Sequence, residues 1–293
     1  MTSFSSNNAN DKKKELGDPI LNNLRDSIKE LNGDIFYASS EIYFTLHDRI
    51  ALGIADAVSL NNIGIAEVCL QRNVGEQDYF GAGPWKAALS ILDSLPVNSD
   101  SNSNKEPLVD DYYVDLVNLV RARLHLNRAC SIIFGIHGSV QKEKTSLETS
   151  LAKASKCAEK SLHIYEELVI KYPRLNTSLA RVLGLLGSCY KLSGSAVTAE
   201  GLFQSSIDKF DAGSLKSSSP LSLIDLRGIL LRVADLYADW DKRESDASLY
   251  QTKAADATEE LPKYWQSAPE ITSGLWLWSA NNLIINRNRL IIN

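Results

Sequence analysis

The sequence predicts an all-α protein built as a succession of antiparallel helix pairs. Three observations carry that expectation. Along most of the chain apolar residues recur at steps of three and four, the spacing that lines one face of a helix. Segments rich in Leu, Ala, Ile and Glu alternate with short clusters of Gly, Pro, Ser and Asn, which stop helices and turn the chain. No stretch sustains the period of two that a half-buried strand requires. At 293 residues and 44% hydrophobic, the chain is long enough to bury a sizeable core.

Residues 1–17 open with MTSFSSNNANDKKK, in which Phe4 is the only aromatic, so the burial on offer is too small to offset ordering and a disordered tail is expected. Asp18-Pro19 begins the first helix: the carboxylate accepts from free backbone N–H groups, and proline's missing donor costs nothing there. Leu21, Leu24, Ile28 and Leu31 line one face of a helix over 18–32, which Asn32-Gly33 ends. A helix over 35–46 follows, and together they make an N-terminal flanking region, 18–47. Helices are expected at 48–72, 84–95, 109–134, 145–171, 176–193, 196–210, 220–240 and 243–260, which fill a repeat domain spanning 48–260. Pro84 reads as the first residue of its helix. Val97 to Pro107 and Asp211 to Pro220 are Ser/Asn-rich surface loops between pairs. The last region, 261–293, carries a helix over 271–286 whose Trp276, Trp278, Leu283 and Ile284 cap the final pair. A peripheral membrane contact through Trp276 and Trp278 is the alternative use of that segment. It is no membrane span, since Asn281, Asn282 and Asn286 interrupt the roughly 20 apolar residues a span needs.

The balance of 31 Lys+Arg against 36 Asp+Glu gives a net charge of -5, so no nucleic-acid partner is expected. Cysteines at 69, 130, 157 and 189 are too sparse for a disulfide framework, and the start lacks a basic region followed by an apolar stretch. An intracellular, cytoplasmic setting is expected, with organelle targeting left open. No GxxxxGK[ST] phosphate loop, GxSxG elbow, HExxH helix or CxxC pair occurs. Cys130 and His137 lie seven apart with no third ligand near them, and Gly135 and Gly138 argue against a straight helix there. The acidic pairs Asp110-Asp111 and Glu166-Glu167 point apart on a helix. No catalytic residue, metal or cofactor is expected, and the chain is read as a non-enzyme.

Between Leu183 and Ile207 the chain reads LGLLGSCYKLSGSAVTAEGLFQSSI. Gly187 and Ala199 lack bulk where two antiparallel helices approach, Tyr190 and Phe203 fill the space between this pair and its neighbours, and Gly194 turns the chain. With Leu186 and Ser206, these positions resemble a tetratricopeptide (TPR) repeat. Ser161 to Pro173, with Ser161, Tyr165 and Leu168, is similar to the second helix of such a unit. Ala234, Tyr237, Ala247 and Ala254 follow a weaker version, with a turn that reads as one residue long and lacks glycine. Asn61 to Ala66 with Trp85 to Leu95 resembles a degenerate one, Glu67 standing where the family has an aromatic.

The resemblance implies a right-handed superhelix of helix pairs, a TPR-like α-solenoid whose flanking helices cap the stack. It implies a protein–protein interaction scaffold, adaptor or assembly factor holding a partner's peptide or helix in a concave groove. The alternatives are a stoichiometric structural subunit of a larger complex and an unrecognised all-α enzyme. Arg121, His125 and Arg128 fall on one helical stripe, with Arg123 on a neighbouring face, and are the candidate partner-binding residues. Arg181 and Lys191 extend that basic surface, whereas Asp235 and Asp239 bring negative charge, a mixture suited to a specific protein partner. The Lys/Asn set with which some TPR proteins hold a terminal carboxylate is not present at Gly184, Ser188, Leu231 and Asp235.

Overall fold

A computed structural model describes residues 46–71, 82–97, 111–138, 144–212 and 220–266, with the backbone of 285–286 and 289–290. The chain divides into two compact units, Met1–Arg49 and Ile50–Asn293. Of the first only the opening turn of a helix is described, so the architecture below is that of the second. The tail, the helix over 18–32, nearly all of the helix over 35–46 and the Trp276/Trp278 segment lie outside the described residues.

The described chain is helical: α1 Leu46–Gln71, α2 Ala82–Ser94, α3 Asp111–Gly138, α4 Lys144–Lys171, a 3-10 turn Pro173–Leu175, α5 Asn176–Leu192, α6 Ala196–Ala212, α7 Pro220–Ala238, α8 Glu244–Glu259 and the short α9 Lys263–Gln266. The exception is a two-residue antiparallel pairing, Ile285–Asn286 with Arg289–Leu290. That pairing corrects the expected helix over 271–286 at its last two residues, where β-branched Ile285 favours extended backbone. Three other expectations also change. No break separates 46 from 48, because His47 and Asp48 continue α1. Pro84 is the third residue of α2, still inside the first turn where a missing N–H is harmless. Gly135 does not interrupt α3, whose backbone stays helical to Gly138.

The helices pack as antiparallel pairs, α3 with α4, α5 with α6 and α7 with α8, and successive pairs touch through α4 and α5 and through α6 and α7. The α5–α6 pair shows why its residues are there. Ser193-Gly194-Ser195 reverses the chain, with Gly194 at φ 83°, a left-handed backbone that glycine adopts without strain. The Ser195 N–H donates to the Tyr190 carbonyl at 2.9 Å, closing the end of α5. Midway along the pair the fully buried ring of Phe203 lies against Gly187, where any Cβ would stand 2.8 Å from the ring. Farther on, the buried Ser206 hydroxyl donates to the Ala180 carbonyl at 2.6 Å. Ser161 makes the same bond to the Ala122 carbonyl at 2.8 Å in the α3–α4 pair. A small hydroxyl at this point lets two backbones approach while leaving no polar group unpaired. In α8 the counterpart is the buried Ala254.

The α7–α8 turn is not one residue long: it spans Asp239 to Arg243, and Lys242, at φ 64°, takes the left-handed position that glycine fills elsewhere. At the other end of the array, Gly64 of α1 meets the Trp85 indole of α2, whose Nε1 donates to Asn61 Oδ1 at 3.1 Å. Asn127 of α3 donates to that same oxygen at 2.7 Å, so one buried amide ties α1, α2 and α3 together.

Two glycines in this pair should respond oppositely to alanine. Gly187→Ala, forced against Phe203, is expected to lower unfolding free energy by about 1–3 kcal/mol. Gly201→Ala, in the middle of α6 with open space around it, should raise it by about 0.5–1 kcal/mol. Urea unfolding of both variants measures the pair of effects.

Candidate functional site

The residues singled out from sequence do not form one surface. Arg181 of α5 is buried and donates from Nε to Asp225 of α7, itself 2% exposed. Burial pushes the Asp225 carboxyl upward, against the pull of the Arg181 guanidinium. Lys191 of α5 pairs with Asp235 and lies 3.6 Å from Asp239, so the acidic residues expected to oppose it within a groove are its own ion-pair partners. Arg121 of α3 is also engaged: it donates to the Asp93 carboxylate at 3.1 Å, to the Leu92 carbonyl at 3.3 Å and to Asn118 at 2.9 Å. There it closes the C-terminal end of α2, where a cation is favoured.

His125 and Arg128 remain. They lie on the side of α3 that faces α4, and the antiparallel crossing brings them to a set of groups not read from the sequence, Lys156, Cys157 and Lys160. Lys156 and Lys160 are exposed, Cys157 and Arg128 half-buried, and His125 only 8% exposed. Burial drives the His125 imidazole down to about 4, and the charges of Lys160, Arg128 and Arg121 act in the same direction, opposed by Asp93. His125 is therefore neutral across the physiological range. Its Nδ1 and the Nε of Arg128 are both buried without a hydrogen-bond partner. The Cys157 thiol is raised by burial although Arg128, Lys160 and Lys156 pull it the other way, so it is a weak nucleophile.

Arg123 points elsewhere, as its place on a neighbouring face implied. It is 8% exposed, and its Nη1 has no partner. Cys130 and Cys189 are buried and held as thiols by burial, and the adjacent Arg232 of α7 is pulled down to about 10 for the same reason. Arg232 donates to Ser188 of α5. Of the repeat-packing residues, Gly187, Ala199 and Phe203 lie in the core, Tyr190 is half-buried, and Gly194 makes the turn.

Among the described residues no group of three or more His, Cys, Asp or Glu is placed to hold a metal ion, and no helix is long and apolar enough to cross a membrane. A cleft of about 240 Å³ lies between Ile207 of α6, Leu223, Leu226 and Leu230 of α7, and Ala257 of α8, rimmed by Lys253, Asp256 and Glu260. Its floor is aliphatic, and of its charged groups Lys253 and Asp256 stand on α8 and Glu260 at its C-terminal cap.

The seam around His125 has a signature in acid. The folded chain holds the imidazole at about 4, whereas the unfolded chain titrates near 6.5, so between those values the unfolded state binds more protons and stability falls as the pH drops. Between about pH 7 and about pH 4 the wild type should lose about 3 kcal/mol more than His125→Gln, whose side chain does not titrate. Denaturant midpoints collected at several pH values give the comparison, and parallel curves for the two proteins would contradict it.

Compared with family models, with curated proteins and with solved structures, the chain matches none.

Proposed function

We propose that this chain is a protein–protein interaction scaffold, an adaptor or assembly factor whose helix pairs build a right-handed superhelix and seat a segment of a partner. The observation that carries the reading is the way the first helices of successive pairs stand side by side. Arg181 with Asp225, Ser188 with Arg232 and Lys191 with Asp235 each join residues 44 apart, so α5 and α7 run parallel with one constant offset. Pairs repeated in this manner offer a surface longer than any single helix, the property that helical-repeat proteins use for binding. The offset exceeds the roughly 34 residues of a TPR unit. Support for the reading therefore comes from the stacking of pairs, with the TPR-like residues confined to α5–α6 and its immediate neighbours.

Affinity purification of the tagged full chain from its own cells, followed by mass spectrometry, tests the proposal. An adaptor should retain a small set of proteins at low salt and release them by about 0.5 M salt, as expected of a polar, transient interface. The same proteins held at fixed stoichiometry through that wash would replace the adaptor with a structural subunit. Retention of no protein at all would overturn the scaffold reading.

A further inference from the structure

We propose that the α3–α4 seam formed by Arg128, Lys156 and Lys160, with His125 behind it, binds an acidic segment of a partner protein whose carboxylates pair with these cations. The inference rests on the scaffold reading and adds the chemistry of the partner.

Several cations elsewhere in the fold have counter-ions. Lys171 binds Asp115, Arg181 binds Asp225, Lys191 binds Asp235, Arg243 binds Glu200 and Asp246, and Arg121 binds Asp93. None of the ion pairs among the described residues includes Arg128, Lys156 or Lys160. Those three cations nevertheless converge on one stretch of the helix crossing, since all of them act on Cys157, and Lys160 and Arg128 act on His125 as well. Like charges gathered together oppose one another, and the charges of Lys160 and Arg128 add to burial in keeping the neighbouring His125 imidazole neutral, against the pull of Asp93.

Two buried nitrogens point to a missing acceptor or donor. Arg128 Nε is a donor with nothing to receive it, and Nδ1 of the nine-tenths-buried His125 is equally unpartnered. An unmet buried polar group destabilises the fold around it, so an incoming carboxylate gains from satisfying Arg128 in addition to neutralising charge. Lys156 and Lys160 are exposed on α4, which leaves their ammonium groups open to such a ligand.

An acidic protein segment fits better than a nucleic acid. The chain carries a net charge of -5, which repels a long polyanion, and the seam is only a few cations wide. Nucleic-acid sites of useful affinity neutralise about 6–10 phosphates. A short run of Asp and Glu matches both the small size of the seam and its sign.

The test uses the purified full chain and a fluorescein-labelled Glu/Asp-rich peptide of about 12 residues, followed by anisotropy at low salt. Wild type is expected to bind saturably. Lys156→Glu/Lys160→Glu, at two exposed positions, and separately Arg128→Gln should each weaken binding by about tenfold or more. Lys86→Glu/Lys263→Glu makes the same change in net charge away from the seam and should alter it by less than about threefold. Circular dichroism of each variant confirms retained helix. With the purified chain, four results would overturn the proposal: no saturation by about 1 mM peptide, equal loss in the control variant, tighter binding of an oligothymidylate of equal charge, or a dimer in light scattering that the seam substitutions dissociate. The last would place a second copy of this chain in the seam. Cellular partners captured equally by wild type and Lys156→Glu/Lys160→Glu would overturn the seam assignment while leaving the scaffold reading intact. Peptide binding with no captured partner would do the reverse.

Discussion

The alignment of α5 beside α7 is the constraint on which the other packing rests. Two apolar helix faces tolerate sliding by a turn, because one aliphatic side chain replaces another at similar cost. Arg181 and Asp225 remove that freedom. Both are buried, and each is the other's ion-pair partner, so a slip of one turn would leave two charges in the interior at a cost of several kcal/mol. Lys191 with Asp235 repeats the same offset near the solvent, and Arg232 with Ser188 repeats it between the two ion pairs. Once that register is set, Gly184 meets Ile229 at close range and the α7–α8 pair is positioned on the α5–α6 pair.

The same principle, read in reverse, explains the α3–α4 seam. Where charges have partners they bind helices together, as Arg121 does at the end of α2 and Lys171 does with Asp115. At the seam the cations have no ion-pair partners among the described residues, burial and their charge together keep the neighbouring imidazole neutral, and the Arg128 Nε donor stays unmet. That arrangement opposes folding instead of supporting it. The proposed acidic ligand would relieve both features.

Much of the fold was legible in the sequence because its signals are local. The three- and four-residue spacing located α1 to α8, and Gly187, Ala199, Phe203 and Gly194 announced a tight pair with a glycine turn. The α7–α8 turn was misjudged because Lys242 takes a conformation usually read from glycine. The site was less legible. Helical periodicity put Arg121, His125 and Arg128 on one stripe, yet it could not separate an arginine closing a neighbouring helix from one facing an open seam. That distinction depends on which carboxylate lies across the gap, and Asp93 and Asp225 are 28 and 44 residues away from their partners. Lys156 and Lys160 were missed for the same reason. Alone they are the solvated face of a helix, and only the crossing of α4 over α3 gathers them with Arg128 around Cys157.

The most direct test of the register constraint is a double-substitution cycle on Arg181 and Asp225, read by urea unfolding. Arg181→Met alone should cost about 3–5 kcal/mol, because it strands a buried carboxylate. Arg181→Met with Asp225→Leu should recover most of that loss, giving a coupling of about 2 kcal/mol or more. A single substitution costing under about 1 kcal/mol, with effects that simply add, would mean that the pair is not buried as described and that another contact sets the register.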